Sequence, residues 1–249
     1  MAYLILVRHG ESRWNIANKF TGWIDVPLSE VGIHEALITA KRLQKLSLDI
    51  AFTSELERAQ ETLLLILASQ DKTGIFKHQD KKRKNDWYVH RKQFDKKEIP
   101  IHLSEKLNER YYGDLQGLNK DDARRKWGKE QVHLWRRSYD IQPPKGESLK
   151  DVVKRAVPHF KKNILPHVKK GKNVIISAHG NSLRAIIKHI DGISDEQIPN
   201  LELQTGVPII YKYIRGKLVK ETGDHTFDRP THWKHHKRHQ TYKTMKKKN

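Results

Sequence analysis

The chain has 249 residues, no cysteine, 36% hydrophobic residues and a formal net charge of +20. Its length is within the range of a single α/β domain, and the lack of cysteine excludes disulfides and thiolate metal sites and fits a reducing compartment. We find no signal-peptide pattern and no apolar stretch near the roughly 18 to 20 residues of a membrane span, so we expect a cytoplasmic protein that does not contact membranes.

The first seventy residues alternate between strand and helix patterns. Short apolar runs predict buried strands, and apolar residues at helical spacing predict amphipathic helices. Ser29 is the expected N-cap of the first long helix and Ser54 that of the second. The pattern predicts strands at residues 3–7 and 50–53, and helices at residues 30–46 and 55–70.

A basic segment follows at residues 71–98. Residues 72–98 alone contain ten Lys or Arg against four Asp or Glu. Because this segment lacks a clear apolar period, we interpret it as an insertion with partial helix.

The second half of the chain continues the alternation. A break at Pro143-Pro144 interrupts it, and Gly216 is placed to turn a terminal hairpin. The pattern predicts strands at residues 99–103, 173–177, 207–214 and 218–221, and helices at residues 120–127, 130–137, 147–165 and 182–190. Strands that alternate with helices predict an α/β fold with a mostly parallel sheet covered by helices on both faces. We assign residues 1–222 to one domain.

Residues 223–249 are interpreted as a basic, flexible tail, since residues 229–249 contain eight Lys or Arg and no acid. Basic segments attract polyanions by counterion release, but such runs are more often solvated surface. Four tail histidines have helical spacing and are a weak candidate for a transition metal, with a disordered tail as the favoured reading: His232, His235, His236 and His239.

Two histidines follow predicted strands directly and are each followed by glycine: His9 in LVRHGESRWN and His179 in VIISAHGNSLRA. A strand that turns sharply into a helix directs backbone N–H groups toward an anion. Ligands of parallel sheets bind beyond the carboxyl ends of the strands, where both histidines are expected. Two such steps in one chain indicate an enzyme that works through phosphohistidine.

A histidine that transfers a phosphoryl group needs cations around the phosphoryl oxygens and an acid–base group for the reacting oxygen. His9 is the candidate nucleophile and has Arg8 beside it. Arg58 lies about one turn into the predicted second helix, and nearby cations should lower the imidazole pKa values. Glu109 is the candidate for proton transfer.

These segments resemble the histidine phosphatase superfamily, and within it the cofactor-dependent phosphoglycerate mutases. The resemblance covers most of the chain in family order, and the loop motif at residues 107–120 is its most specific part. The matching motifs are RHGES, FTGWIDVPLSEVG, TSELERA, LNERYYGDLQGLNK, WRRSYDIQPP, AHGNSLRA and TGVPIIY.

The resemblance implies roles for individual residues. His9 is implied to be phosphorylated and Glu109 to donate and accept the proton, while Arg8, Arg58 and His179 hold the reacting phosphoryl group. Groups implied to hold phosphate or substrate oxygens are Ser12, Asn15, Thr21, Gly22, Gly180 and Asn181. Groups implied to hold the substrate carboxylate and distal phosphate are Tyr112, Lys120, Arg136 and Arg137.

The implied reaction interconverts 3-phosphoglycerate and 2-phosphoglycerate in glycolysis and gluconeogenesis. Implied as the cofactor is 2,3-bisphosphoglycerate, which primes the phosphohistidine, and no metal is implied because arginines and histidines supply the positive charge. The protein is expected to act on small molecules, and family members differ in whether they form homo-oligomers.

Three departures from the family bear on this expectation. The segment at residues 71–98 is longer than usual, the connection between Pro144 and Glu147 is very short, and no clear match follows Glu221. The family tail often helps to close the site, so a looser closure would admit water to phosphorylated His9 and raise phosphatase activity.

Two alternatives therefore stay open. One is a histidine phosphatase, or a bisphosphoglycerate mutase or phosphatase, acting on related small esters; the set of Lys120, Arg136 and Arg137 argues against a simple phosphatase. The other is a nucleic-acid-binding module on an enzyme fold without its activity, which the intact motifs disfavour.

Overall fold

The computed structural model describes residues 1–77 and 96–221. A seven-stranded sheet with the order β3-β4-β2-β5-β1-β6-β7 forms its centre. The strands are β1 Ala2–Arg8, β2 Ile50–Thr53, β3 Thr73–Lys77, β4 Glu98–Leu103, β5 Val174–Ala178, β6 Pro208–Ile214 and β7 Lys217–Lys220. The first five strands pair in parallel, whereas β6 runs antiparallel to β1, and β7 to β6.

Helices cover both faces of this sheet, because successive side chains of a strand point to opposite faces. Leu4 and Leu6 of β1 belong to one buried cluster, and Ile5 and Val7 belong to another. The helices are α1 Arg13–Ile16, α2 Glu30–Leu43, α3 Glu57–Leu67, α4 Lys120–Trp127, α5 Lys129–Arg137, α6 Leu149–His159, α7 Leu165–Lys169 and α8 Gly180–Asp191. The predicted α/β fold with a mostly parallel sheet is confirmed.

The two faces are built from different helices. The first cluster packs β1 and β5 against α8 and the segment that leads into α7, and it contains Phe160, Val168 and Ile186. The second packs the opposite face against α2 and α3 through Leu43 and Leu63. A π-helical turn joins α6 to α7 at Phe160–Ile164, so the single helix predicted for residues 147–165 is divided.

Two local predictions need correction. Helix α3 begins at Glu57 with Leu56 as its N-cap, so Ser54 does not cap a helix that starts at residue 55. The segment interpreted as an insertion contains β3 near its start, an edge strand that pairs with β4. Residues 78–95 of that segment, and the tail with its histidines, lie outside the described residues. The domain boundary at residue 222 therefore stays a prediction.

The sheet order brings three functional strand ends together. Strand β5 lies between β1 and β2, and it pairs in parallel with both. Their carboxyl ends lead directly to His9, His179 and Ser54. Among the helices of the described residues, none is long and apolar enough to cross a membrane.

Candidate active site

The two predicted histidines meet at the carboxyl end of the sheet. The backbone N–H of His9 donates to the carbonyl of Ala178, 2.9 Å away, which ties the end of β1 to the end of β5. The two imidazole rings lie 4.9 Å apart with an angle of 58° between their planes. Both side chains are buried, with 3% exposure for His9 and none for His179.

The hydrogen bonding of His9 identifies its free nitrogen. Nδ1 lies 2.7 Å from the carbonyl oxygen of Gly10. Because a carbonyl only accepts, we assign the ring proton to Nδ1, which leaves the lone pair on Nε2. Burial, followed by the charges of Arg58 and Arg8, lowers the pKa of His9 well below its usual 6.5. The ring is therefore neutral at physiological pH and can act as a nucleophile.

His179 is anchored through a residue that sequence analysis had placed in a helix cap. Its Nε2 lies 2.7 Å from the hydroxyl of Ser54, which also accepts a hydrogen bond from the backbone of Leu56. Its Nδ1 is buried and has no hydrogen-bond partner among the described residues. Burial and then the charge of Arg58 lower the pKa of His179 well below 6.5.

Arg58 and Arg8 supply the positive charge around the two rings. Arg58 is fully buried at the start of α3, and its guanidinium donates to the carbonyls of Gly22 and Ile24 at 2.8 and 3.1 Å. Burial lowers the pKa of Arg58 to about 10, so it stays charged at neutral pH. Arg8 donates from Nη1 to the carbonyl of Leu203 at 2.7 Å, while its buried Nε has no partner among the described residues.

Glu109 is held as a carboxylate. Its Oε1 accepts from the backbone N–H of Arg110 at 2.7 Å, and from the backbone and side-chain amides of Asn181 at 3.2 and 2.9 Å. Burial raises the pKa of Glu109, but these hydrogen bonds and the charges of Arg58 and Arg8 outweigh burial and bring it below 4.5. All three hydrogen bonds go to one oxygen, and the other, Oε2, lies beside Gly180 at the N-terminus of α8.

A second group of cations comes from α4, α5 and the loop before them. Arg110 is fully buried, stacks on the ring of Tyr112 at 4.6 Å and donates to its hydroxyl at 3.2 Å. Arg110 also donates to the backbone carbonyl of Arg136 at 3.3 Å, which links the loop to the end of α5. Lys120, Arg136 and Arg137 line the same pocket as His9.

The loop after β1 is fixed by backbone contacts that only glycine permits. A Cβ at Gly10 would lie 2.4 Å from the carbonyl oxygen of Gly32, so the two backbones touch. Gly22 has a φ of 55°, which favours glycine. Ser12 caps α1 and forms a reciprocal capping box with Asn15.

These elements enclose a pocket of about 140 Å³. Of the fifteen predicted site residues, Ser12, His179 and Asn181 do not line it: Ser12 caps α1, His179 packs on His9, and Asn181 holds Glu109. The other twelve line the pocket: Arg8, His9, Asn15, Thr21, Gly22, Arg58, Glu109, Tyr112, Lys120, Arg136, Arg137 and Gly180. In the described part of the chain, no three His, Asp or Glu side chains are grouped to hold a metal ion.

Several residues of this site were not predicted from the sequence. Four more residues line the pocket: Lys19, Phe20, Arg184 and Glu202. Arg155 donates to the backbone carbonyl of Glu109 at 2.9 Å and forms an ion pair with Glu147 at 2.8 Å. The spacing of Arg184 one turn after Gly180 on a helix was the only signal in the sequence that could have indicated its position.

Comparisons with known proteins agree with this arrangement. A model of the histidine phosphatase superfamily (branch 1) matches residues 4–80 and 91–223. The 2,3-bisphosphoglycerate-dependent phosphoglycerate mutase of Methanosarcina acetivorans is 51% identical over 239 residues, covering 90% of this chain and 96% of that protein. The phosphoglycerate mutase of Schizosaccharomyces pombe is 50% identical over 224 residues, covering 87% and 95%.

A solved structure supports the fold independently. The structure of YhfR from Bacillus stearothermophilus is similar with a TM-score of 0.69 and 25% identity, and the match covers 88% of this chain and 95% of that chain. The chain therefore belongs to the histidine phosphatase superfamily, and within it to the 2,3-bisphosphoglycerate-dependent phosphoglycerate mutases.

Proposed function

We propose that this protein interconverts 3-phosphoglycerate and 2-phosphoglycerate by carrying a phosphoryl group on Nε2 of His9. The observation that carries the proposal is that one pocket combines this imidazole with two groups of cations. One group surrounds His9, and the other comes from α4 and α5. A small anion with a phosphate and a carboxylate needs both groups, whereas a phosphatase acting on a monoester needs only the first.

His9 acts as the nucleophile in this proposal. The lone pair of Nε2 attacks phosphorus, so that a P–N bond forms as the P–O bond to the donor breaks. The hydrogen bond from Nδ1 to Gly10 keeps the ring oriented and stabilises the positive charge that develops on it. A pKa well below 6.5 keeps the ring unprotonated before the attack.

Arg8, Arg58 and His179 stabilise the phosphoryl group during transfer. Guanidinium groups suit phosphoryl oxygens because they donate in a fixed planar fork. The carbonyls of Gly22 and Ile24 fix Arg58 in place before substrate binds, so little reorganisation is needed in the transition state.

Glu109 moves the proton. When a substrate hydroxyl attacks the phosphorus on His9, the carboxylate takes the hydroxyl proton, and it returns that proton to the leaving oxygen in the reverse step. Its lowered pKa keeps it ionised and ready to accept at neutral pH. Oε1 is held by three donors, so we assign the proton transfer to Oε2.

In this proposal the end of the substrate that does not react is held by Lys120, Arg136, Arg137 and Tyr112. Its phosphate oxygens are held by groups that line the pocket, namely Asn15, Thr21, Gly22 and Gly180. Ser12 and Asn181 act indirectly, because Ser12 caps α1 and Asn181 holds Glu109. When bound, 2,3-bisphosphoglycerate supplies the phosphoryl group that loads His9. Nε of Arg8 is buried and has no hydrogen-bond partner within residues 1–77 and 96–221, and many cations line the pocket. Both features fit an anion with more charge than a monophosphate. Since this reaction is a step of glycolysis and gluconeogenesis, we place the enzyme in the cytoplasm.

The test is formation of 2-phosphoglycerate from 3-phosphoglycerate by the full-length protein, measured with and without 2,3-bisphosphoglycerate. We expect turnover that depends on the bisphosphate, together with an acid-labile phosphoryl label on the protein that His9→Ala removes. Release of inorganic phosphate without 2-phosphoglycerate would replace the mutase with a phosphatase. A stable label on the His9→Ala variant would overturn the assignment of the nucleophile.

A further inference from the structure

The pocket contains a second carboxylate that the proposed reaction does not use. Glu202 lies in the connection between the 3₁₀ turn Ile198–Asn200 and β6, and it lines the same pocket as His9. Its Oε1 lies 2.6 Å from Nη2 of Arg137, and its Oε2 lies 3.6 Å from Nη2 of Arg184. One carboxylate therefore bridges guanidinium groups from two different helices, α5 and α8.

The bridge connects the substrate-binding cations to the proton-transfer group. Arg184 donates from Nη1 to the side-chain oxygen of Asn181 at 3.2 Å, and from Nε to the carbonyl of Leu201 at 2.7 Å. This fixes the amide of Asn181 so that its nitrogen donates to Glu109. Burial and the charge of Arg137 lower the pKa of Arg184, and the charge of Glu202 acts in the opposite direction.

The side chains of Glu202, Arg137 and Arg184 differ in exposure, and this difference allows a bound anion to replace Glu202 at Arg137. Glu202 is 64% exposed, Arg137 is 30% exposed and Arg184 is 10% exposed. Exposed ion pairs contribute little to stability because water solvates both partners. Breaking the ion pair between Glu202 and Arg137 therefore requires little free energy, so an incoming anion can bind Arg137. Arg184 meanwhile keeps its hydrogen bonds to Leu201 and Asn181.

We propose that Glu202 is a specificity-determining residue. Its negative charge weakens the binding of anions in proportion to their charge, so it weakens the binding of a bisphosphate more than that of a monophosphate. This rests on the proposed function of the pocket. The repulsion between Glu202 and a bound anion grows with each negative charge on the anion. Substrate and primer differ in charge, because the bisphosphate has a second phosphate in place of a hydroxyl of the substrate. Glu202 thus raises the concentration of bisphosphate that the enzyme needs.

The variant Glu202→Gln tests this because it removes the charge and keeps an oxygen that can accept from Arg137. At a separation of several ångströms and physiological salt, each ligand charge changes the affinity by a factor of about 1.75. We expect the KM for 3-phosphoglycerate to fall about fivefold, and the bisphosphate concentration for half-maximal activation to fall about fifteenfold. Glu202→Asp keeps the charge, so the ratio of the KM for 3-phosphoglycerate to the bisphosphate concentration for half-maximal activation should stay close to the wild-type ratio.

A pair of unreactive anions tests the charge effect without any catalysis. Benzene-1,2-dicarboxylate and benzene-1,2,4,5-tetracarboxylate share one ring and differ in charge, and their Kd values are measured by calorimetry. Glu202→Gln should lower the Kd of the dianion about threefold and that of the tetra-anion about tenfold. Glu196→Gln, which removes an exposed carboxylate outside the pocket, should change neither Kd.

The outcomes separate the two proposals. Equal changes for both anions, or none, would overturn the role of Glu202, as would a loss of kcat with unchanged binding. The protein could show the expected pattern with the benzene carboxylates and yet form no 2-phosphoglycerate. This result would support the role of Glu202 in charge discrimination and would overturn only the mutase reaction. A ratio of these two constants in Glu202→Asp that resembles Glu202→Gln rather than wild type would also overturn the proposal, because the charge would then not be the cause.

Discussion

Two groups of histidines in this molecule have lowered pKa values but different surroundings. The pocket histidines are His9 and His179, whose rings lie 4.9 Å apart at the carboxyl end of the sheet. The lateral histidines are His102 of β4, His159 at the end of α6 and His167 of α7. His102 stacks on Phe52 at 5.0 Å and lies 6.5 Å from His167.

The causes of the lowered pKa values are similar in both groups. Burial is the main cause for each, and neighbouring cations add to it. The cations differ: arginines fixed by backbone carbonyls face His9, whereas Lys77 and Lys172 face His102. A neutral imidazole is thus common to both groups, and it becomes a functional site only where a cavity, a carboxylate and oriented guanidinium groups converge on it.

The largest expected effect compares one histidine from each group. His9→Ala should lower kcat for 3-phosphoglycerate by about 10⁴-fold or more, because no other group in the pocket replaces a lost nucleophile. His102→Ala should change kcat by less than about threefold, because His102 does not line the pocket. The measurement is steady-state turnover in a coupled assay at pH 7.5.

Both variants need to be folded for this comparison, which circular dichroism and urea unfolding establish. Comparable losses of kcat in the two folded variants would break the distinction between the pocket and lateral histidines.

Glu109 sharpens the comparison because it is the carboxylate of the pocket that receives three hydrogen bonds. Glu109→Gln should lower kcat by about 10²- to 10⁴-fold, since an amide cannot accept the proton. The amide oxygen can still accept from Arg110 and Asn181, so we expect the fold to persist. Glu105→Gln changes an exposed carboxylate nearby and should leave kcat unchanged. A loss of less than tenfold for Glu109→Gln would assign the proton transfer to another group.

A smaller effect concerns the anchor of His179. Ser54→Ala removes the hydroxyl that lies 2.7 Å from Nε2 of His179, and one neutral hydrogen bond contributes about 1 kcal/mol. We expect kcat to fall about three- to tenfold with little change in KM. Ser104→Ala removes the cap of a short 3₁₀ turn and serves as the control. An unchanged kcat for Ser54→Ala would mean that packing on His9 alone positions His179.

Local sequence patterns predicted the centre of the site, because a buried strand followed by His-Gly is a continuous segment. Both histidines and Arg8 could be assigned from such segments, and parallel pairing of β1 with β5 then brings the histidines together. Glu109 was also named as the candidate for proton transfer, but its contact with Asn181 could not be predicted, since its loop has no regular period from which a position could be calculated.

Other features could not be predicted because distant segments create them. Glu202 meets Arg137 and Arg184 only through tertiary packing, and nothing in its own neighbourhood signals a site. Strand β3 was missed because it is an edge strand with only partly buried side chains within a lysine-rich segment. Ser54 is predicted as a helix cap because a serine precedes an amphipathic segment. Its hydroxyl does accept from the backbone N–H of Leu56, but the helix starts later and the hydroxyl also lies 2.7 Å from His179.

The smallest effect tests what the lateral histidines do instead of catalysis. Burial, followed by Lys77 and the other lateral histidines, lowers the pKa of His102 to about 4, against about 6.5 in an unfolded chain. Unfolding therefore takes up a proton between these two values, so the free energy of unfolding falls as pH drops from about 6.5 to about 4. His102→Leu cannot take up this proton, and its stability should fall less in acid. Because His102 is partly exposed, we expect the variant to regain about 1 kcal/mol relative to wild type between pH 7.5 and pH 5 in urea unfolding. The control is His133→Leu, on the exposed side of α5, whose free energy of unfolding should change with pH as that of wild type does. If the free energy of unfolding of His102→Leu also changed with pH as in wild type, the pKa of His102 would not be lowered by folding.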